Sequence, residues 1–362
     1  MKKRFEFIDS LRGIGILMVM VYHTYQDVSK IYVPELSLFF SQGARGVQLF
    51  FIVSAFTLYY SQQQRERKGS NTIGSFFFRR YFRIAPMYYL GIFIFSMMII
   101  FNIHHEPLRH NQITIFNIVS NFVFLNSLNP EWINAIVLGG WSISVEFLFY
   151  FMFPLNYKYV SCLKGSINFL MITLIMSAVS SFVMKRLFHF EQVLLLDEFL
   201  FYNIFNQLPV FAIGIVGFQI IREKKFFSND FSYLLLLMTI IVLFVFWDDF
   251  TMHHLLNSVV FATLMVALSM GKFDFLNIGF LSYFGKISYS CYLVHFAVLF
   301  VIVKFNFIQI FEPTTLVWNL CNYFVMLLII LGTTALISQI TYNLIERPFI
   351  KLGRSVPSLL IK

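Results

Sequence analysis

Charge is what this chain has least of. Only 12% of its 362 residues are Asp, Glu, Lys or Arg, against about 25% in a soluble domain. That excludes an ordinary water-soluble fold. The 58% hydrophobic content and the 48 phenylalanines point to lipid as the surrounding solvent. Cysteine is also scarce. Cys162, Cys291 and Cys321 lack the spacing of a zinc site and give no disulfide framework. A cleavable signal peptide is not expected, because the first apolar segment is too long, lacks a small-residue cleavage site and contains Arg12. No loop is long enough for a soluble domain. No internal repeat of the kind built into many transporters is visible. The net charge of +9 reads as the positive-inside bias of membrane proteins, not as a nucleic-acid footprint.

What the chain has is apolar segments of membrane-crossing length, about ten of them. They fall near residues 8–28, 38–60, 84–103, 134–155, 168–186, 204–221, 231–248, 253–270, 280–303 and 315–342. The stretch 113–126 is apolar but short, so an interfacial or re-entrant position is expected. The fold class expected is all-α, a polytopic transmembrane helix bundle. Residues 1–350 form one membrane domain, and 351–362 form a short basic cytoplasmic tail. Most of the 27 basic residues fall in alternate loops and at both ends, including Lys2, Lys3, Arg4, Arg65, Arg67, Lys224, Lys225, Arg354 and Lys362. That bias puts both termini in the cytoplasm.

Against this background a few ionisable groups stand out. Arg12 and His23 are eleven residues apart in the first segment. On a helix that is roughly 20° past three turns and roughly 16 Å of rise, so the two share a stripe. Ionisable groups at membrane depth face the protein interior or water and mark functional positions. Asp27 lies one turn beyond His23, where a carboxylate can orient an imidazole. Arg45 sits at the outer end of the second segment, behind Gly43 and before Gly46. It could hold a carboxylate or a sugar hydroxyl, or simply snorkel. Arg80 and Arg83, in the cytoplasmic stretch FFFRRYFRIAPMYY, are three apart and suit a phosphate or a membrane anchor. Pro86 marks a new helix turn or a kink. Glu146, in WSISVEFLFY, has Ser142 and Tyr150 four residues to either side. It could be catalytic or the structural partner of Arg12. Ser288, Tyr292 and His295 make one polar face in SYSCYLVH. His104, His105 and His110 crowd an outer loop, but no spacing with carboxylates calls for a metal, and none is expected.

Taken together, IDSLRGIGILMVMVYH, GVQLFFIVSAF, FFFRRYFRIAPMYY, WSISVEFLFY, SYSCYLVH and the closing ERPF resemble the integral-membrane acyltransferase type 3 family. They run in the family's order nearly end to end. The resemblance implies transfer of an acyl group, usually acetyl, from cytosolic acyl-coenzyme A to a hydroxyl of a cell-envelope glycan, such as a polysaccharide or a lipopolysaccharide O-antigen. It implies His23 as the base, with Arg12, Arg80 and Arg83 as essential basic positions and Glu146 as a recurrent intramembrane acid. Asp27 joins the catalytic set as partner of His23, and Arg45, Ser288, Tyr292 and His295 are candidates for the acceptor side.

The setting it implies is a bacterial inner membrane, with the bilayer, the glycan and glycan-assembly machinery as partners. Two departures stand out. Ala55 and Gln48 occupy places where the family often has Gly and Asp. The soluble serine-hydrolase-like domain of some members is not expected here. The competing reading is a sugar or polysaccharide exporter, which explains intramembrane charges but needs no cytoplasmic arginine pair.

Overall fold

The computed structural model describes residues 6–28, 34–67, 72–101, 103, 113–187, 193–223, 235–239, 254–270, 279–305, 310–312 and 315–360. The helices are α1 (Glu6–Val28), α2 (Pro34–Ser41), α3 (Gly46–Glu66), α4 (Ile73–Ile100), α5 (Ile115–Phe122), α6 (Gly140–Tyr159) and α7 (Leu163–Leu187). Then come α8 (Val193–Tyr202), α9 (Ile204–Glu223), α10 (His254–Met270), α11 (Gly279–Lys286), α12 (Ser288–Lys304), α13 (Leu316–Thr341) and α14 (Arg347–Leu360). The fold is all-α, with no strand among the described residues.

Among the described residues, five stretches are long and apolar enough to cross a membrane: Leu36–Glu66, Ile73–Ile100, Leu163–Leu187, Leu196–Glu223 and Leu316–Ser355. The pair α11 and α12, bent by 79°, makes a sixth. The expectation of about ten spans is larger, and the difference has a physical cause. Asp9, Ser10, Arg12 and His23 dilute the apolarity of α1, and Ser142, Ser144 and Glu146 do the same in α6. Helix α10 is only 17 residues long. The expected span at 231–248 lies outside the described residues except for 235–239, and so do His104, His105 and His110.

Several boundaries move. Helix α4 begins at Ile73 and runs through Pro86, so the stretch with Arg80 and Arg83 is helical throughout. A proline inside a helix forfeits one i→i−4 hydrogen bond; here that loss does not end the helix. Residues 134–139 are turns and bends, and α6 starts only after Gly139, whose φ of 72° suits glycine. The short segment near 113–126 becomes α5, which turns its apolar side chains outward. Ile115, Phe116, Val119 and Phe122 are exposed while Asn117, Ser120 and Asn121 are buried. Tyr88 donates to Asn121 Oδ1 at 2.8 Å. Such inside-out polarity suits contact with lipid. The stretch expected as a tail belongs to α14, joined to α13 by the π-turn Tyr342–Glu346. Ala55 is fully buried, so its methyl is accommodated where the family favours glycine.

The described helices fall into two compact units. The first holds α1, α2, the start of α3 up to Val53, and α10 to α13. The second holds α3 from Ser54, α4 up to Met98, α5 to α8, α9 up to Gln219, and α14. In the first unit α1 packs against α11, α12 and α13. Its contact with α11 is backbone on backbone. A Cβ added at Gly285 would lie 1.8 Å from the Asp9 carbonyl oxygen, and one at Gly13 would lie 2.1 Å from that of Leu281. Small residues permit such approach between membrane helices. Gly285→Ala is therefore expected to cost more than the roughly 1–3 kcal/mol of ordinary overpacking. Thermal melts in detergent check this, with Gly279→Ala as control because a Cβ there meets nothing within 4 Å among the described residues. Equal melting of the two variants would remove the contact.

Candidate active site

In the first unit the break at Ile287 redirects α12, and the polar face Ser288, Tyr292 and His295 is buried. His295 has no exposure at all. Its Nδ1 lies 3.0 Å from the Cys291 carbonyl oxygen. A carbonyl only accepts, so Nδ1 carries the hydrogen and Nε2 keeps the lone pair. That Nε2 is buried and has no hydrogen-bond partner among the described residues. The His23 ring is 5.5 Å from the His295 ring, centroid to centroid, and Phe296 packs on both.

The two histidines, 272 positions apart in the sequence numbering, thus form one pair. Sequence spacing had linked His23 to Arg12 and Asp27 instead. Asp27 is half-buried one turn beyond His23. Arg12 forms an ion pair with Asp9 at 3.5 Å, with 17% of its side chain exposed. Arg45 is half-buried at the end of the turn Gln42–Arg45. The glycines beside it serve close approach to α1: a Cβ at Gly43 would lie 2.2 Å from Met18 O, and one at Gly46 2.3 Å from Gly15 O.

The second unit gathers a different set. Glu146 accepts hydrogen bonds from Ser54 and from Tyr150, the latter at 2.6 Å. Of the two flanking groups expected for it, only Tyr150 serves. Ser142 donates to the Gly139 carbonyl at 2.9 Å. Arg80 donates to Ser61 Oγ at 3.2 Å and lies over the rings of Tyr150 and Phe76, at 5.5 and 5.7 Å. Arg83 is half-buried three residues on. An acid, a phenol and a guanidinium are thereby held together in an apolar setting, where each lowers the desolvation cost of the next. Sequence reading missed Ser54 and Ser61 as partners. Ser54 sits in a motif that the family resemblance had flagged, but its meeting with Glu146 spans 92 positions.

These features define a multi-pass membrane protein whose buried polar groups fall into a histidine pair and an arginine–acid network. The chain belongs to the acyltransferase domain family, which it matches over residues 5–341. The O-acetyltransferase OatA of Staphylococcus aureus (strain NCTC 8325 / PS 47) is 24% identical over 375 residues, covering 96% of this chain and 57% of the relative. The chain thus spans little more than half the length of that relative. Acyltransferase MdmB of Streptomyces mycarofaciens is 31% identical over 122 residues, 33% of this chain and 29% of the relative. The peptidoglycan O-acetyltransferase OatA of Listeria monocytogenes is 26% identical over 164 residues, 42% of this chain and 24% of the relative. No solved structure matches.

Proposed function

We propose that this chain is a membrane O-acyltransferase. It moves an acyl group, acetyl in this reading, from cytosolic acyl-coenzyme A to a hydroxyl of a cell-envelope glycan. The observation that carries the reading is the His23–His295 pair within an acyltransferase-family fold. Transfer from a thioester needs the hydroxyl to lose its proton as it attacks. His23 takes that proton while the oxygen bonds to the thioester carbonyl carbon. The carbon–sulfur bond then breaks, and the proton returns to the departing thiolate, leaving an ester and free coenzyme A. His295, held by the Cys291 carbonyl, shares the proton with His23 or receives it. Asp27 orients the pair. Arg45, Ser288 and Tyr292 line the acceptor side.

Arg80 and Arg83 hold the donor's phosphates, and their planar forks suit that task. Glu146 acts through Arg80 and Tyr150, not on the acceptor hydroxyl. Arg12, beside Asp9, supports the donor's passage. The peptidoglycan O-acetyltransferase of Listeria monocytogenes, to which part of the chain is similar, favours a glycan of the peptidoglycan class as acceptor. The location is the bacterial inner membrane, with both termini cytoplasmic and glycan-assembly proteins as partners.

One experiment tests donor and orientation together. Membranes containing the full chain are prepared as inside-out and right-side-out vesicles and given radiolabelled acetyl-coenzyme A. Label should enter envelope glycan in inside-out vesicles only. Transfer from the opposite face would overturn the orientation. No transfer from either face, with sugar flux in its place, would favour the exporter.

A further inference from the structure

The C-terminal helix α14 lies beyond the residues matched to the family, yet it is packed within the second unit. Gly353 is its point of contact. A Cβ there would lie 2.8 Å from Phe82 Cβ and 3.4 Å from Arg79 Cα. Phe349, one turn earlier, stacks on Phe82 at 6.2 Å between centroids. The glycine thus lets α14 lie directly on the part of α4 that carries the arginines. The next residue is Arg354.

This docking creates an electrostatic conflict. Arg354 repels Arg65, Arg65 repels Arg79 and Arg80, and Arg80 repels Arg79 and Arg83. Glu146 is a carboxylate that favours the charged form of one of them, Arg80. Arg79 has a buried Nη2 with no hydrogen-bond partner among the described residues. Guanidinium groups that repel one another favour an anion that neutralises them, and an unsatisfied buried donor adds to that preference. A phosphate, with several acceptor oxygens, relieves both.

Coenzyme A offers phosphate at two places, a pyrophosphate bridge and a separate phosphomonoester on its ribose. A phosphomonoester carries about −1.5 to −2 charges at neutral pH. We propose that Arg354, with Arg65 and Arg79, forms the seat of that outlying phosphomonoester, so that α14 completes the donor site. This rests on the donor reading above, in which Arg80 and Arg83 take the pyrophosphate.

The test measures binding of coenzyme A and of dephospho-coenzyme A, which lacks the monoester, to the full-length protein in detergent by calorimetry. The parent should prefer coenzyme A by about tenfold or more, the worth of one charge-assisted contact. Arg354→Gln should weaken coenzyme A alone and bring the two ligands to near-equal affinity. Arg354→Lys should keep part of the preference. Gly353→Leu, which pushes α14 off α4, should lose the preference as Arg354→Gln does.

An undiminished preference in Arg354→Gln overturns the proposal. A parent that binds both ligands equally overturns it while leaving the donor reading in place, and a parent that binds neither ends both. Anionic lipid is the other source of phosphate. The same proteins are therefore melted in phosphatidylglycerol and in phosphatidylcholine nanodiscs. If Arg354→Gln loses stability only in phosphatidylglycerol and keeps its ligand preference, Arg354 is a lipid contact and the proposal fails.

Discussion

His23→Ala is expected to lower acyl incorporation into envelope glycan by about 10²–10⁴-fold, the usual contribution of a general base. Coenzyme A binding should be unchanged, because the proposed phosphate-holding groups are Arg80 and Arg83, not the histidine. The pairing with His295 sharpens this expectation. If the proton rests on His23 and His295 only tunes it, His295→Ala should cost far less, and the double variant should be no worse than His23→Ala. Groups that act as one unit are not additive. If instead the lone pair at His295 Nε2 does the work, the order reverses. Both variants are compared at matched protein level by label incorporated per molecule. Near-parental incorporation with His23→Ala would transfer the role of base to His295, and near-parental incorporation with both would end the histidine mechanism.

Arg80→Lys is expected to weaken coenzyme A binding by about 10- to 100-fold, the value of one or two charge-assisted hydrogen bonds. Lysine is the informative replacement. Arg80 stands by Glu146, Tyr150 and Ser61, so an alanine would leave a half-buried carboxylate without its counter-charge and confuse binding with stability. Lysine keeps the charge and loses only the fork. Arg83→Lys should act in the same direction. Titration calorimetry gives the affinity, and a melt without ligand shows whether the fold survives. Parental affinity in both variants would reduce the arginines to membrane anchors.

The helical class and the positions of most apolar segments were legible in the sequence, because a lipid-facing helix announces itself by length and composition. The network around Arg80 was half legible. Tyr150 was found through its four-residue offset from Glu146, which any helix converts into proximity. Ser54 and Ser61 come from a different helix, and no local rule reaches them. The same holds for the tail. Residues 351–362 read as a short basic cytoplasmic tail, and composition gives no sign that Gly353 packs on α4.

The sequence by itself determined an all-α membrane protein, the family, and a short roster of ionisable groups too costly to bury without purpose. Which of those groups meet was decided only by the tertiary structure. His23 faces His295 because Ile287 breaks a long apolar segment at 79° and Gly285 seats the shorter half on the backbone of α1. Periodicity along one helix fixes neighbours three and four residues away. A bend between helices, and the close approach that small residues permit, depend on what the chain brings from far along its length.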